Sequence, residues 1–73
     1  MSLEKAIGIE LRKHRQSKDM SLTDVTNIIG MTNGGLSMIE TNKRGLSFDT
    51  FLDICNALGV KPSTITKRAE KLI

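Results

Sequence analysis

With Cys55 its only cysteine, the chain can form no internal disulfide. The fold must therefore rest on an apolar core, as suits a reducing cytoplasm. One Cys and one His also fall short of a closed zinc site, which typically takes four ligands. Nowhere is there the run of about 18 apolar residues that a membrane helix needs, and the first residues lack the apolar centre of a signal peptide. No G-x-S-x-G elbow is present, and nothing in the spacing of Ser, Asp and His14 points to a hydrolytic triad. Gly30-x-x-x-x-Gly35 imitates the opening of a phosphate-binding loop, but Leu36 stands where the essential lysine belongs and no strand precedes it. At 73 residues, a domain buries only about 60% of the surface its unfolded chain exposes, which leaves little room for a deep catalytic cavity. These absences point to a cytoplasmic binding protein without metal, cofactor or membrane segment, and not to an enzyme.

One further absence is local. Eleven Lys and Arg against eight Asp and Glu give a net charge of +3, a modest preference for a polyanionic partner. Yet no basic residue occurs between Met20 and Asn42. Positive charge gathers instead at Arg12, Lys13, Arg15 and Lys18, at the pair Lys43 and Arg44, and along the tail at Lys61, Lys67, Arg68 and Lys71.

The periodicity is helical throughout. Leu3, Ile7, Leu11 and His14 form one face of a first helix, with Gly8 marking a close helix-helix approach. Ser21 caps a second helix, Asp24 complements its dipole, Val25 and Ile29 mark its apolar side, and Gly30 stops it. Thr32 caps a third, in which Leu36 and Ile39 face inward, and Asn42 supplies a left-handed stop. Ser47 caps a fourth, with Phe48, Phe51, Leu52, Cys55 and Leu58 along one side and Gly59 at its end. Pro62 suits the first turn of a fifth, where Ile65, Ala69 and Leu72 recur at helical spacing. The expected architecture is a single all-α domain over 1–73 with five helices.

The stretch from Leu22 to Glu40 carries the functional signal. Two helices joined by a tight glycine-containing turn make a helix-turn-helix, with small Thr26 letting the helices approach and Val25, Leu36 and Ile39 filling the angle between them. The run Leu11-Arg12-x-x-Arg15, Met20-Ser21, Val25, Gly30-Met31-Thr32, Leu36-Ser37-x-Ile39-Glu40 and Phe51-x-x-Ile54-Cys55-x-Ala57-Leu58-Gly59-Val60 closely resembles the Cro/phage-repressor (XRE) class of helix-turn-helix proteins. The resemblance covers roughly residues 7 to 65 and implies a lambda-repressor-like fold that binds double-stranded DNA and regulates transcription.

That resemblance assigns roles by position. Thr32 would touch a phosphate at the start of the recognition helix, while Asn33, Gly34, Ser37 and Met38 lie where side chains or backbone reach base edges. Lys43 and Arg44 fall in the following loop, along the phosphate backbone, and Arg15 and Glu40 match a structural ion pair between the first and third helices. Asn33, able to pair with adenine, is expected to carry more specificity than Met38, which suits a thymine methyl. The partner is expected to be a pseudo-palindromic operator bound by a homodimer, with Ile65, Ala69, Leu72 and Ile73 of the segment 62–73 as the dimer interface.

Two departures from the class keep a second reading open. Leu22 replaces the glutamine that usually contacts a phosphate and braces the recognition helix. Gly34 and Gly35 open the third helix without side chains, lowering its propensity by up to about 2 kcal/mol together. The alternative is a protein-interaction module, or an antitoxin, on the same scaffold.

Overall fold

Four of the five helices start where the sequence places a hydroxyl to accept an otherwise unpaired backbone N–H. A computed structural model, which describes all 73 residues, gives α1 (Leu3–Ser17), α2 (Leu22–Ile29), α3 (Asn33–Glu40), α4 (Phe48–Leu58) and α5 (Pro62–Glu70). Ser2, Ser21, Thr32 and Ser47 cap α1 to α4, each accepting from the N–H three residues on. At Ser21 the cap is reciprocal, since the Asp24 carboxylate accepts from the Ser21 N–H. Only α5 lacks a side-chain cap and begins on Pro62. Gly30 and Gly59 end α2 and α4 at φ of 70° and 66°, a region costly for residues with a β-carbon. Asn42 adopts φ of 57° just past α3, and the Lys43 N–H then reaches back to the Met38 carbonyl at 2.7 Å.

The core is one cluster: Leu11, Val25, Leu36, Ile39, Phe51, Ile54, Cys55, Leu58 and Ile65. Every helix contributes to it. α1 lies across α3, α4 and α5, while α2 packs on α3 and α4. Gly8 allows a close approach of α1 to α3, because a β-carbon there would sit 2.6 Å from the Ile39 carbonyl oxygen. Cys55 is only 1% exposed, and burial raises its thiol pKa to about 11.

Two expected faces are corrected. On α4 the buried stripe is Phe51, Ile54, Cys55 and Leu58; Leu52 is half-buried and Phe48 is exposed. Phe48 shares the stripe's angle but stands one turn beyond the core, where it lines a shallow apolar groove with Leu3, Ile7, Leu46 and Phe51. On α5, Ile65 and Ala69 are fully buried against the chain's own helices and have no surface to offer another copy. The helix ends at Glu70, so of the expected interface only half-buried Leu72 and exposed Ile73 reach the surface.

Candidate nucleic-acid interface

α3 is eight residues long, includes two glycines in its first turn, and has little intrinsic reason to be helical. Tertiary contacts hold it at both ends. At its C-terminal end the Glu40 carboxylate accepts from Arg15 Nε at 2.7 Å and from Nη2 at 2.9 Å, a two-pronged pair. Arg15 Nη1 donates to the Met20 carbonyl at 2.9 Å, which ties the α1–α2 turn into the same joint. The side chains are 11% and 4% exposed, so this is an interior ion pair. The hydrogen bonds to Glu40 outweigh burial and raise the Arg15 pKa above its already high value. The expected Arg15–Glu40 partnership is therefore present, and its effect is to fix α3 against α1.

The N-terminal end is held differently. Thr32 Oγ1 accepts from the Gly35 N–H at 3.0 Å, which leaves the hydroxyl proton free to donate outward. Asn33 is turned toward α2: its Oδ1 accepts from Thr26 Oγ1 at 2.6 Å, and its Nδ2 donates to Thr23 Oγ1 at 2.9 Å. Each hydroxyl can donate or accept, so either rotation of the amide is satisfied. Thr23 has no part in the sequence reading, and Thr26 figures there only as a small spacer. The signal was their spacing of ten and seven residues before a helix-opening Asn.

Gly34 and Gly35 have separate physical roles. A β-carbon on Gly34 would meet nothing within 4 Å, so its backbone is openly presented. A β-carbon on Gly35 would lie 2.9 Å from Arg44 Nη1 and 3.0 Å from Thr32 Oγ1. Gly35 thus makes room for the Arg44 guanidinium beside the α3 N-terminus. Leu22, where the class has glutamine, packs against the core, and the brace it cannot make is supplied by Asn33.

Electrostatics distinguish α3 from its neighbours. Glu4, Asp24 and Asp49 sit in the first turns of α1, α2 and α4, whereas α3, like α5, has no acid there, and α3 has Arg44 beside it. A guanidinium next to the positive end of a helix dipole is unfavourable until an anion joins it. Neither Lys43 nor Arg44 is paired to a carboxylate; the chain's ion pairs are Lys13–Glu10 and Arg15–Glu40. The structure therefore brings Thr32, Gly34 and Arg44 to one exposed end, with Ser37 half-buried and Met38 43% exposed further along α3.

His14 sits apart from this surface. Its Nδ1 accepts from Arg68 Nη1 at 3.2 Å, and its Nε2 is buried without a hydrogen-bond partner. Burial, then the charges of Arg68 and Lys18, lower its pKa below the ordinary 6.5. It is a structural residue joining α1 to α5.

Comparisons with known proteins agree with this geometry. The Helix-turn-helix family model matches residues 11–65. Uncharacterized HTH-type transcriptional regulators of Mycobacterium bovis and Mycobacterium tuberculosis are each 36% identical over 67 residues, 92% of this chain. The chain spans only 26% of the length of those relatives. Among solved structures, the clp gene regulator ClgR from Corynebacterium glutamicum matches all of this chain and 95% of its own, with a TM-score of 0.95 at 25% identity. The restriction-modification controller protein C.AhdI from Aeromonas hydrophila shares the fold over 84% of this chain and 92% of its own, with a TM-score of 0.79 at 23% identity. No helix is long and apolar enough to cross a membrane. With five helices in the lambda-repressor-like arrangement and a family match over most of its length, the chain belongs to the XRE-type helix-turn-helix family of DNA-binding transcriptional regulators.

Proposed function

We propose that this chain is a non-enzymatic, sequence-specific regulator that inserts α3 into the major groove of duplex DNA. The observation that carries the reading is the N-terminal end of α3, exposed, free of acid and flanked by the unpaired cation Arg44, with unpaired Lys43 beside it in the loop after α3. Thr32 and the first N–H groups of α3 hold one phosphate, and Lys43 and Arg44 hold the adjoining backbone. The starts of α2 and α4 are less suited to phosphate, because Asp24 closes the α2 cap and Asp49 lies in the first turn of α4. Gly34, Ser37 and Met38 face the bases.

The working species is a homodimer on a pseudo-palindromic operator, since one short helix contacts only a few base pairs and two copies about 34 Å apart double the readout. Leu72 and Ile73, at the end of the chain beyond α5, are the part of the expected interface left at the surface. The two departures that favoured a protein-docking module have roles within this reading: Leu22 fills the core and Gly35 seats Arg44.

The test is binding to random-sequence duplex DNA across a salt series, by fluorescence anisotropy, for the native chain and Lys43→Ala. The expected result is steep salt dependence, with a slope smaller by about 1 in the variant and a uniform loss over all sequences. A flat salt response would overturn the reading. A Lys43→Ala variant with altered base preference would overturn the placement of α3.

A further inference from the structure

Bidentate reading of adenine or guanine needs a free amide or guanidinium on the recognition helix. α3 carries one amide, Asn33, and both of its polar atoms are engaged with α2 through Thr26 at 2.6 Å and Thr23 at 2.9 Å. Its one charged residue, Glu40, is buried and paired to Arg15. The Thr41 hydroxyl, just past its end, donates to the Ser37 carbonyl at 2.8 Å. What remains outward is the Gly34 backbone, half-buried Ser37, and Met38, the one long side chain of α3 that is both exposed and uncommitted.

Asn33 is exposed and keeps one donor and one acceptor site, but swinging its amide out to a base would give up two hydrogen bonds that align α3 on α2. Leu22 supplies no brace of its own, since it is an apolar side chain packed on the core. A thioether, by contrast, is polarizable and flexible, and suits an apolar group in the groove. The 5-methyl of thymine is the apolar group the major groove presents.

We propose that Asn33 is a positioning residue, clasped by Thr23 and Thr26 to set the angle of α3, and that Met38 is the main specifying residue, packing on the 5-methyl group of thymine. This reverses the order expected from sequence. It rests on the reading that α3 enters the major groove.

The experiment begins by selecting the preferred site from a random duplex pool with the native chain. Each thymine of that site is then replaced in turn by deoxyuridine, which removes only the methyl group. At one thymine per half-site the native chain should bind about 4-fold more weakly, the worth of one buried methyl. Met38→Ala should bind the thymine and deoxyuridine sites equally. Asn33→Ala and Thr23→Ala should weaken binding to all sites by similar factors, leave the order of base preference unchanged, and lose no more together than singly. Thr23 is exposed, so its replacement keeps the test open if Asn33→Ala unfolds the chain.

Equal binding of thymine and deoxyuridine sites by the native chain overturns the proposal, as does an Asn33→Ala variant that loses its preference for adenine at one position. Either result with site-specific binding intact leaves the DNA-binding reading standing. Absence of any DNA binding overturns both.

Discussion

The two ends of α3 are held by opposite means. At the C-terminal end, a carboxylate 4% exposed meets a guanidinium in two hydrogen bonds, and Gly8 brings α1 against the Ile39 carbonyl. At the N-terminal end, the threonine cap, the Asn33 clasp and Arg44 over Gly35 are polar contacts near solvent. One end is a fixed joint; the other is a presented surface. A helix of eight residues with two glycines can stay ordered under this division. Its buried end provides the stability, and its open end keeps backbone N–H groups available to a ligand.

Removing the joint should have the largest effect. Glu40→Ala or Arg15→Ala leaves a charge without its partner in the interior, and each should cost about 3–5 kcal/mol of stability, measured by urea unfolding. If either variant melts as the native chain does, the buried end is not what anchors α3.

Gly8→Ala tests the same joint from the opposite helix. An exposed mid-helix Gly→Ala change typically gains up to about 1 kcal/mol. Here the new methyl would overlap the Ile39 carbonyl oxygen, a backbone atom that cannot turn aside. The expected net outcome is a loss of about 1–3 kcal/mol. A gain in stability would show that α1 and α3 can separate without penalty.

The smallest expected effect is a pH dependence at the α1–α5 contact. Burial, Arg68 and Lys18 lower the folded-state pKa of His14, so the unfolded chain takes up a proton first as pH falls. Stability should therefore decline as pH drops below about 6.5, and stop declining through this group once the folded-state pKa is passed. Denaturant midpoints for the native chain and His14→Gln, compared at pH 7.5 and pH 5.5, isolate the contribution. Parallel shifts in the two proteins would remove His14 as its source.

Helix starts and stops were legible in the sequence because they depend on single local residues: Ser21, Thr32 and Ser47 as caps, and Gly30, Asn42 and Gly59 as left-handed stops. The Arg15–Glu40 pair was legible through the family resemblance, although the two residues are 25 apart. Where reading stopped, a third element decided the outcome. The Ile65-Ala69-Leu72 stripe shows that α5 buries a face, but it is the position of α1 that covers Ile65 and Ala69 with the chain's own core. Phe48 carries the stripe's periodicity, yet the core ends before it does. Asn33 is exposed by position, yet its amide is turned toward α2, because the crossing of α2 and α3 puts two threonine hydroxyls within its reach.

The solitary thiol has a practical consequence. Cys55 is sealed in the middle of α4 and held protonated by burial, so an alkylating reagent can reach it only when the helices part. With no second cysteine to compete, the labelling rate is a clock for opening of the core around α4, readable on the native chain without a reporter group. A bound duplex, by favouring the closed form, would slow that clock in proportion to its occupancy.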